Sequence, residues 1–176
     1  MNWKKLFRKQ SNKVLQRIET WRNAGKIQLM ERPSWDYIMI SMAHKIKERS
    51  IDSQTQCGCV ITNVDHRVLG VGYNGFPSDI DDTMLPNVRP DKYDFIIHAE
   101  KNAILNCEHR PTNGIAYVTI KPCLSCLIFL WQAGIREIVY DLPEAAMTAD
   151  EETKLKVDIM AWLMSHKLIM RRYKND

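Results

Sequence analysis

Residues 98–140 read HAEKNAILNCEHRPTNGIAYVTIKPCLSCLIFLWQAGIREIVY, and the order of elements within this stretch decides the fold. His98 to Cys107 predicts a helix, Ile115 to Ile120 a strand, Cys123 to Ala133 a second helix and Glu137 to Tyr140 a second strand. Pro122 suits the first turn of the second helix, where its missing N–H costs nothing. Helices and strands alternating in this way imply a sheet with helices packed across it.

Outward from this stretch the same architecture continues. Upstream, Cys57 to Asn63 is rich in β-formers and Val68 to Tyr73 alternates weakly. Val64-Asp65-His66-Arg67 is the turn between them, so the pair reads as an antiparallel hairpin. Before it, Pro33-Ser34 starts a helix over Trp35 to Arg49, with Ser34 as N-cap and Ile38, Met39, Met42 and Ile46 on the apolar side. Ser50 to Gln56 is polar and loop-like. Gly75 to Asp94 is a long loop holding three Pro and five Asp, and a loop of that length is usually functional or mobile. Downstream, Thr148 and Asp150 offer caps for a helix to about Ser165, and Leu168 to Tyr173 reads as a last strand. The expected class is α/β, a mixed sheet of about five strands with helices on both faces.

The composition bounds the function. The chain has 176 residues, 45% hydrophobic and 26% charged, which is the balance of a globular protein and excludes a mainly disordered one. Seven Gly and seven Pro exclude a collagen-like or Pro-rich chain. No run of 18 apolar residues is present, so no membrane span is expected, and Met1 to Gln10 has no apolar region of a secretory signal. Five Cys is an odd number without the density of a disulfide scaffold. Reduced thiols or metal ligands in a cytoplasmic protein are the expectation. Residues 1–30 hold eight Lys/Arg against Glu19 alone, a net +7, while the rest of the chain is net −3. They read as a basic helix, Asn2 to Arg22, with Trp3, Phe7, Val14, Ile18 and Trp21 at mostly helical spacing and Asn23-Ala24-Gly25 as its stop. Such a segment is either a solvated helix face or an electrostatic grip on nucleic acid. The expected division is a basic helical extension over 1–30 and one domain over 31–176.

Two short segments carry chemistry. His98-Ala99-Glu100 and Pro122-Cys123-Leu124-Ser125-Cys126 each open a helix. Cys123 and Cys126 are three apart, so their thiols share one face of the first turn, and a helix N-terminus favours the metal-binding thiolate. With one imidazole from His98 they make a Cys2His set, whose fourth tetrahedral position is left for water, as in catalytic zinc sites. Glu100, two residues past His98, can stand beside the metal without ligating it and exchange protons with water. The pair of segments matches the zinc-deaminase pattern H-x-E followed by P-C-x-x-C. The alternative is a zinc staple without catalysis, which normally uses four protein ligands. Cys57 and Cys59, two apart in a strand, point to one face and read as packing. Gly75 to Ile97 contains no Cys or His, so a second zinc is not expected.

From Trp35 to Tyr173 the chain resembles the deoxycytidylate (dCMP) deaminases of the cytidine deaminase-like superfamily. The resemblance lies in Gly72-Tyr73-Asn74-Gly75-Phe76-Pro77, Asp81-Asp82, His98-Ala99-Glu100 with Asn102-Ala103-Ile104, Pro122-Cys123 with Cys126, and Gly134-Ile135 leading into Ile138-Val139-Tyr140. Residues 1–30 lie outside it. The resemblance implies a three-layer α-β-α sandwich and one zinc per chain on His98, Cys123 and Cys126. It implies hydrolysis of dCMP to dUMP with release of ammonia for thymidylate synthesis, Glu100 moving protons from water to N3 and to the leaving amino group. Ala99 would let the flat ring approach, and Asn74 would bond the sugar 3′-hydroxyl; Asn74 reads equally as a turn residue holding its own loop. For the 5′-phosphate the resemblance points to Arg49, Ser53, Gln54 and Thr55 and to Tyr140, although Arg49 also suits a helix C-terminus. It further implies a hexamer activated by dCTP and inhibited by dTTP, with magnesium accompanying a nucleotide effector. The competing function is a nucleic-acid-editing deaminase gripping its substrate with the basic extension. Against it, the domain carrying the site is net acidic, and nucleic acid is not the expected partner.

Overall fold

Ser34 shows how closely local sequence sets this fold: its hydroxyl accepts the Tyr37 N–H at 3.1 Å and caps the helix that follows, a bond worth about 1 kcal/mol. The computed structural model describes residues 3–28, 30–142 and 150–174. Its chain divides into two compact units, residues 1–33 and 34–176. In the first, helix α1 runs from Trp3 to Asn23 and stops at Gly25, whose φ of 65° a glycine adopts without strain. The side chains of Trp3 and Phe7 lie outside the described residues, and so does Thr148.

In the second unit α2 (Trp35–Lys47) precedes the hairpin β1 (Gly58–Thr62) and β2 (Val68–Tyr73). Then follow α3 (Ala99–Leu105), β3 (Ile115–Ile120), α4 (Leu124–Ala133), β4 (Glu137–Leu142), α5 (Glu151–Met164) and β5 (Ile169–Arg172). The five strands form one sheet in the order β2-β1-β3-β4-β5. β1 is antiparallel to β2 and β3, and β3, β4 and β5 are parallel. The sheet is therefore mixed, with its parallel half built from the alternating segment that opens at His98.

Period-two alternation splits the core into two layers. Cys59, Ile61, Ala116, Val118 and Ile138 face one way and pack with Ala99 and Ala103 of α3, Leu127 and Leu130 of α4 and Val157 of α5. Val60, Tyr117 and Val139 face the other way, onto Met39, Ile40 and Ala43 of α2. Full burial of each large aliphatic here contributes about 1.5–3 kcal/mol. The sandwich thus has α2 on one face and α3, α4 and α5 on the other. Gly72 permits a close approach: a Cβ there would overlap the Ala103 nitrogen and the Ala99 oxygen, so only glycine lets the start of α3 lie on β2.

The segment Gly75–Asp94, read as loop from its sequence, contains a short 3-10 helix at Asp91–Asp94. Its two ends are tied together, since Gly75 and Ile97 exchange main-chain hydrogen bonds of 3.1 and 2.8 Å. Among the described residues no helix is long and apolar enough to cross a membrane.

Candidate active site

His98 and Cys123 stand one residue ahead of the helices they were expected to open. Each is an N-cap with extended backbone, so its side chain is free of helix packing. Cys126 lies in the first turn of α4 and is buried. Because β3 delivers α4 beside α3, His98 Nδ1 comes within 3.6 Å of Cys123 Sγ and 3.3 Å of Cys126 Sγ. All three donor atoms lie within 4.8 Å of one another. Tetrahedral zinc with Zn–S of about 2.3 Å and Zn–N of about 2.0 Å requires S···N separations of about 3.5 Å. The donors fit such an ion and leave its fourth position to another ligand. Among the described residues no other group of three metal-ligating side chains lies so close together.

The three donors are electrostatically coupled to one another. The Cys126 thiol and the His98 imidazole both bond Cys123, and these bonds bring the Cys123 thiol down to about 4. Cys126, which keeps the proton of the pair and is buried, is shifted upward. The bond to Cys123 in turn holds the His98 imidazole above its ordinary value. Cys57 is different: burial and the nearby Glu100 charge push it up to about 12, so it stays a neutral thiol and accepts the Thr119 hydroxyl at 3.3 Å.

Glu100 is 4% exposed, on the first turn of α3. Burial raises its carboxyl above the ordinary range, while the His98 charge and the Cys126 thiol pull against that shift. It shares one cavity with His98, Ala99, Cys123 and Asn74. The buried methyl of Ala99 leaves the wall smooth.

Asn74 lines this cavity, but its amide holds the facing loop. Oδ1 accepts the Cys57 N–H at 2.7 Å, and Nδ2 donates to Thr55 O at 2.8 Å and Asp52 Oδ2 at 3.1 Å. Thr55 also lines the cavity, whereas Arg49, Ser53, Gln54 and Tyr140 do not. The Arg49 guanidinium lies 5.9 Å from the centre of the Tyr73 ring. Gln54 Oε1 accepts the Arg89 N–H at 2.9 Å. Tyr140 is taken up in the pairing of β4 with β3 and β5.

Asp52, Arg89, Lys92 and Lys121 are charged lining residues with no counterpart in the sequence reading. Lys92 Nζ lies 2.6 Å from each oxygen of Asp52, with both side chains nearly fully buried. Burial pushes the Asp52 carboxyl up, but the Lys92 bond and the Thr55 and Gln54 amides outweigh it and hold the group below 3.8. A charged residue in a polar loop gives no sign in sequence that it will be buried. Only its partner forty residues away decides that.

Residues 33–142 match the family model of the cytidine and deoxycytidylate deaminase zinc-binding region. The chain belongs to this deaminase family. Deoxycytidylate deaminase of Homo sapiens is 32% identical over 130 residues, covering 70% of this chain and 72% of that protein. Deoxycytidylate deaminase of Mus musculus is 34% identical over 113 residues, which is 60% of this chain and 64% of the mouse protein. The dCMP deaminase of cyanophage S-TIM5, solved in complex with dCMP and dUMP, superposes with a TM-score of 0.63 at 18% identity. That superposition covers 82% of this chain and all of the phage chain and shows a common deaminase fold.

Proposed function

We propose that this chain hydrolyses dCMP to dUMP and ammonia, with His98, Cys123 and Cys126 holding one zinc ion and Glu100 moving the protons. The observation that carries this reading is the buried Glu100 carboxyl in the cavity that His98 and Cys123 also line. A structural zinc staple has no use for such a group. Relatives named for dCMP support the choice of substrate.

Zinc bound in this site supplies water acidified toward neutrality as the nucleophile. Every other task falls to the chain. The Glu100 carboxylate accepts a proton and delivers it to cytosine N3 as oxygen adds at C4. It then carries a proton to the 4-amino nitrogen, the C–N bond breaks, and ammonia leaves a C4 carbonyl. Water plus dCMP thus balances dUMP plus ammonia. A carboxyl raised by burial suits both halves of this traffic, because its proton affinity lies closer to neutrality than that of an exposed glutamate. Ala99 gives the flat ring a smooth wall. Asn74 keeps an Oδ1 lone pair for the sugar 3′-hydroxyl while it braces the loop.

Ammonia release from dCMP, deoxycytidine, dCTP and single-stranded DNA by the zinc-loaded protein tests the proposal. Turnover of dCMP well above deoxycytidine is expected, because a phosphate contact is among the stronger polar interactions. Equal turnover of the nucleoside, or activity on DNA alone, refutes it. The proposal extends to a homo-oligomer, a hexamer, with dCTP activating and dTTP inhibiting, and to a dUMP product passed on to thymidylate synthesis. It needs one zinc per chain. Sedimentation with and without each nucleotide checks the assembly.

A further inference from the structure

Three cations line the cavity beside the candidate zinc ligands: Arg89, Lys92 and Lys121. Two of them are neutralised. Lys92 is held between the two oxygens of buried Asp52, and Lys121 Nζ lies 2.7 Å from Asp158 Oδ1. Arg89 forms no ion pair with any described residue. It is nevertheless held in place. Its Nη2 donates to Thr55 Oγ1 at 2.6 Å, and its main-chain N–H donates to Gln54. Its Nε is buried and has no hydrogen-bond partner. An unpaired buried donor on a charged group is costly, and native structures rarely keep one without a use.

We propose that Arg89 reads the 5′-phosphate of the substrate and thereby sets the preference for a nucleotide over a nucleoside. The inference rests on the deaminase reading above. A phosphomonoester dianion supplies what Arg89 lacks: a full counter-charge and acceptor oxygens for the guanidinium fork. Meeting Nε takes a turn of the Arg89 side chain, since that atom is covered from solvent. Asp52 is the positioning residue behind it. Its Oδ1 accepts the Gln54 and Thr55 N–H groups, both at 2.9 Å, and its carboxylate grips Lys92, three residues past Arg89. One carboxylate therefore clips together the two segments that orient the guanidinium.

The test uses the full zinc-loaded chain. For Arg89→Gln, the ratio of kcat/KM on dCMP to that on deoxycytidine is expected to fall roughly 10- to 100-fold, the range for charge-assisted bonds, chiefly through KM for dCMP. Arg89→Lys recovers part of the ratio, because it keeps the charge and loses the fork. An unchanged ratio, or an equal loss on both substrates, overturns the proposal. Calorimetry with inorganic phosphate gives a readout independent of turnover. The wild type is expected to bind phosphate roughly tenfold more tightly than Arg89→Gln or better. Binding that is equal in both proteins, or absent from both, overturns the assignment of Arg89. Loss of phosphate binding in Arg89→Gln, found with a wild type that does not deaminate dCMP, upholds the anion site and removes the deaminase reading instead.

Discussion

In the proposed reaction Glu100 differs from the three residues beside it in needing to change its protonation during each turnover. Glu100→Gln keeps the shape and the burial but cannot carry a proton. The variant is expected to retain zinc, because Glu100 is not a ligand, and to lose roughly 10²- to 10⁴-fold in kcat. Elemental analysis alongside ammonia release separates the two effects, and near-wild-type turnover would remove Glu100 from the mechanism. Cys126→Ala has the opposite signature. Two remaining ligands do not hold zinc tightly, so metal and activity are expected to disappear together. A zinc-free variant that stays active would sink the metal reading. These four residues were legible from sequence because their relations are local: His98 and Glu100 lie two apart, Cys123 and Cys126 three apart, each pair at one helix start. Asn74 was legible only in part. The Gly-Tyr-Asn-Gly stretch marked it, and its amide, bonded to Cys57, Thr55 and Asp52, does the loop-holding work of a turn residue.

Elements were legible wherever short-range patterning fixes them and illegible where distant partners do. Ser34 and Asp150 cap α2 and α5 through hydroxyl and carboxylate bonds to amides three residues on, so the sequence marks both starts. β3 begins and ends where its apolar run does. The segment after Gly75 follows no such rule, because the Asp52–Lys92 pair organises it across forty positions. Breaking that pair by Asp52→Asn leaves a buried ammonium without its counter-charge, which is expected to cost roughly 3–5 kcal/mol, read as a lower Tm. The pH dependence has a definite sign. The folded carboxyl titrates below its ordinary 3.8, so its stabilisation is fully present above that value and is lost as pH falls through the lower folded one. Acid unfolding of the wild type therefore contains a component in that window that Asp52→Asn lacks. Identical acid profiles would show that the pair contributes nothing to stability.

At the scale of the whole molecule the charge division carries the remaining question. The candidate site draws on residues between Asp52 and Cys126, all in the unit that begins at Ser34. The +7 of residues 1–30 belongs to the other unit, where α1 exposes Val14, Leu15 and Trp21 and sets Arg17 over the Trp21 ring. A lone amphipathic helix of this length is marginal in water and gains most of its stability from packing. Deleting residues 2–30 is therefore expected to lower self-association or solubility while zinc content and turnover per zinc stay at full-length values. The rival role for this helix, recruitment of nucleic acid, has a distinct signature. Cations that neutralise phosphates release counterions, so oligonucleotide binding would fall steeply with salt and vanish on truncation. Light scattering and oligonucleotide titration at two salt concentrations, on both lengths of chain, decide between them. Unchanged assembly together with loss of salt-sensitive binding would assign the helix to nucleic acid and reopen the editing function. The opposite result leaves the basic face as a solvated exterior, because the proposed substrate is a single nucleotide and needs no grip on a polynucleotide.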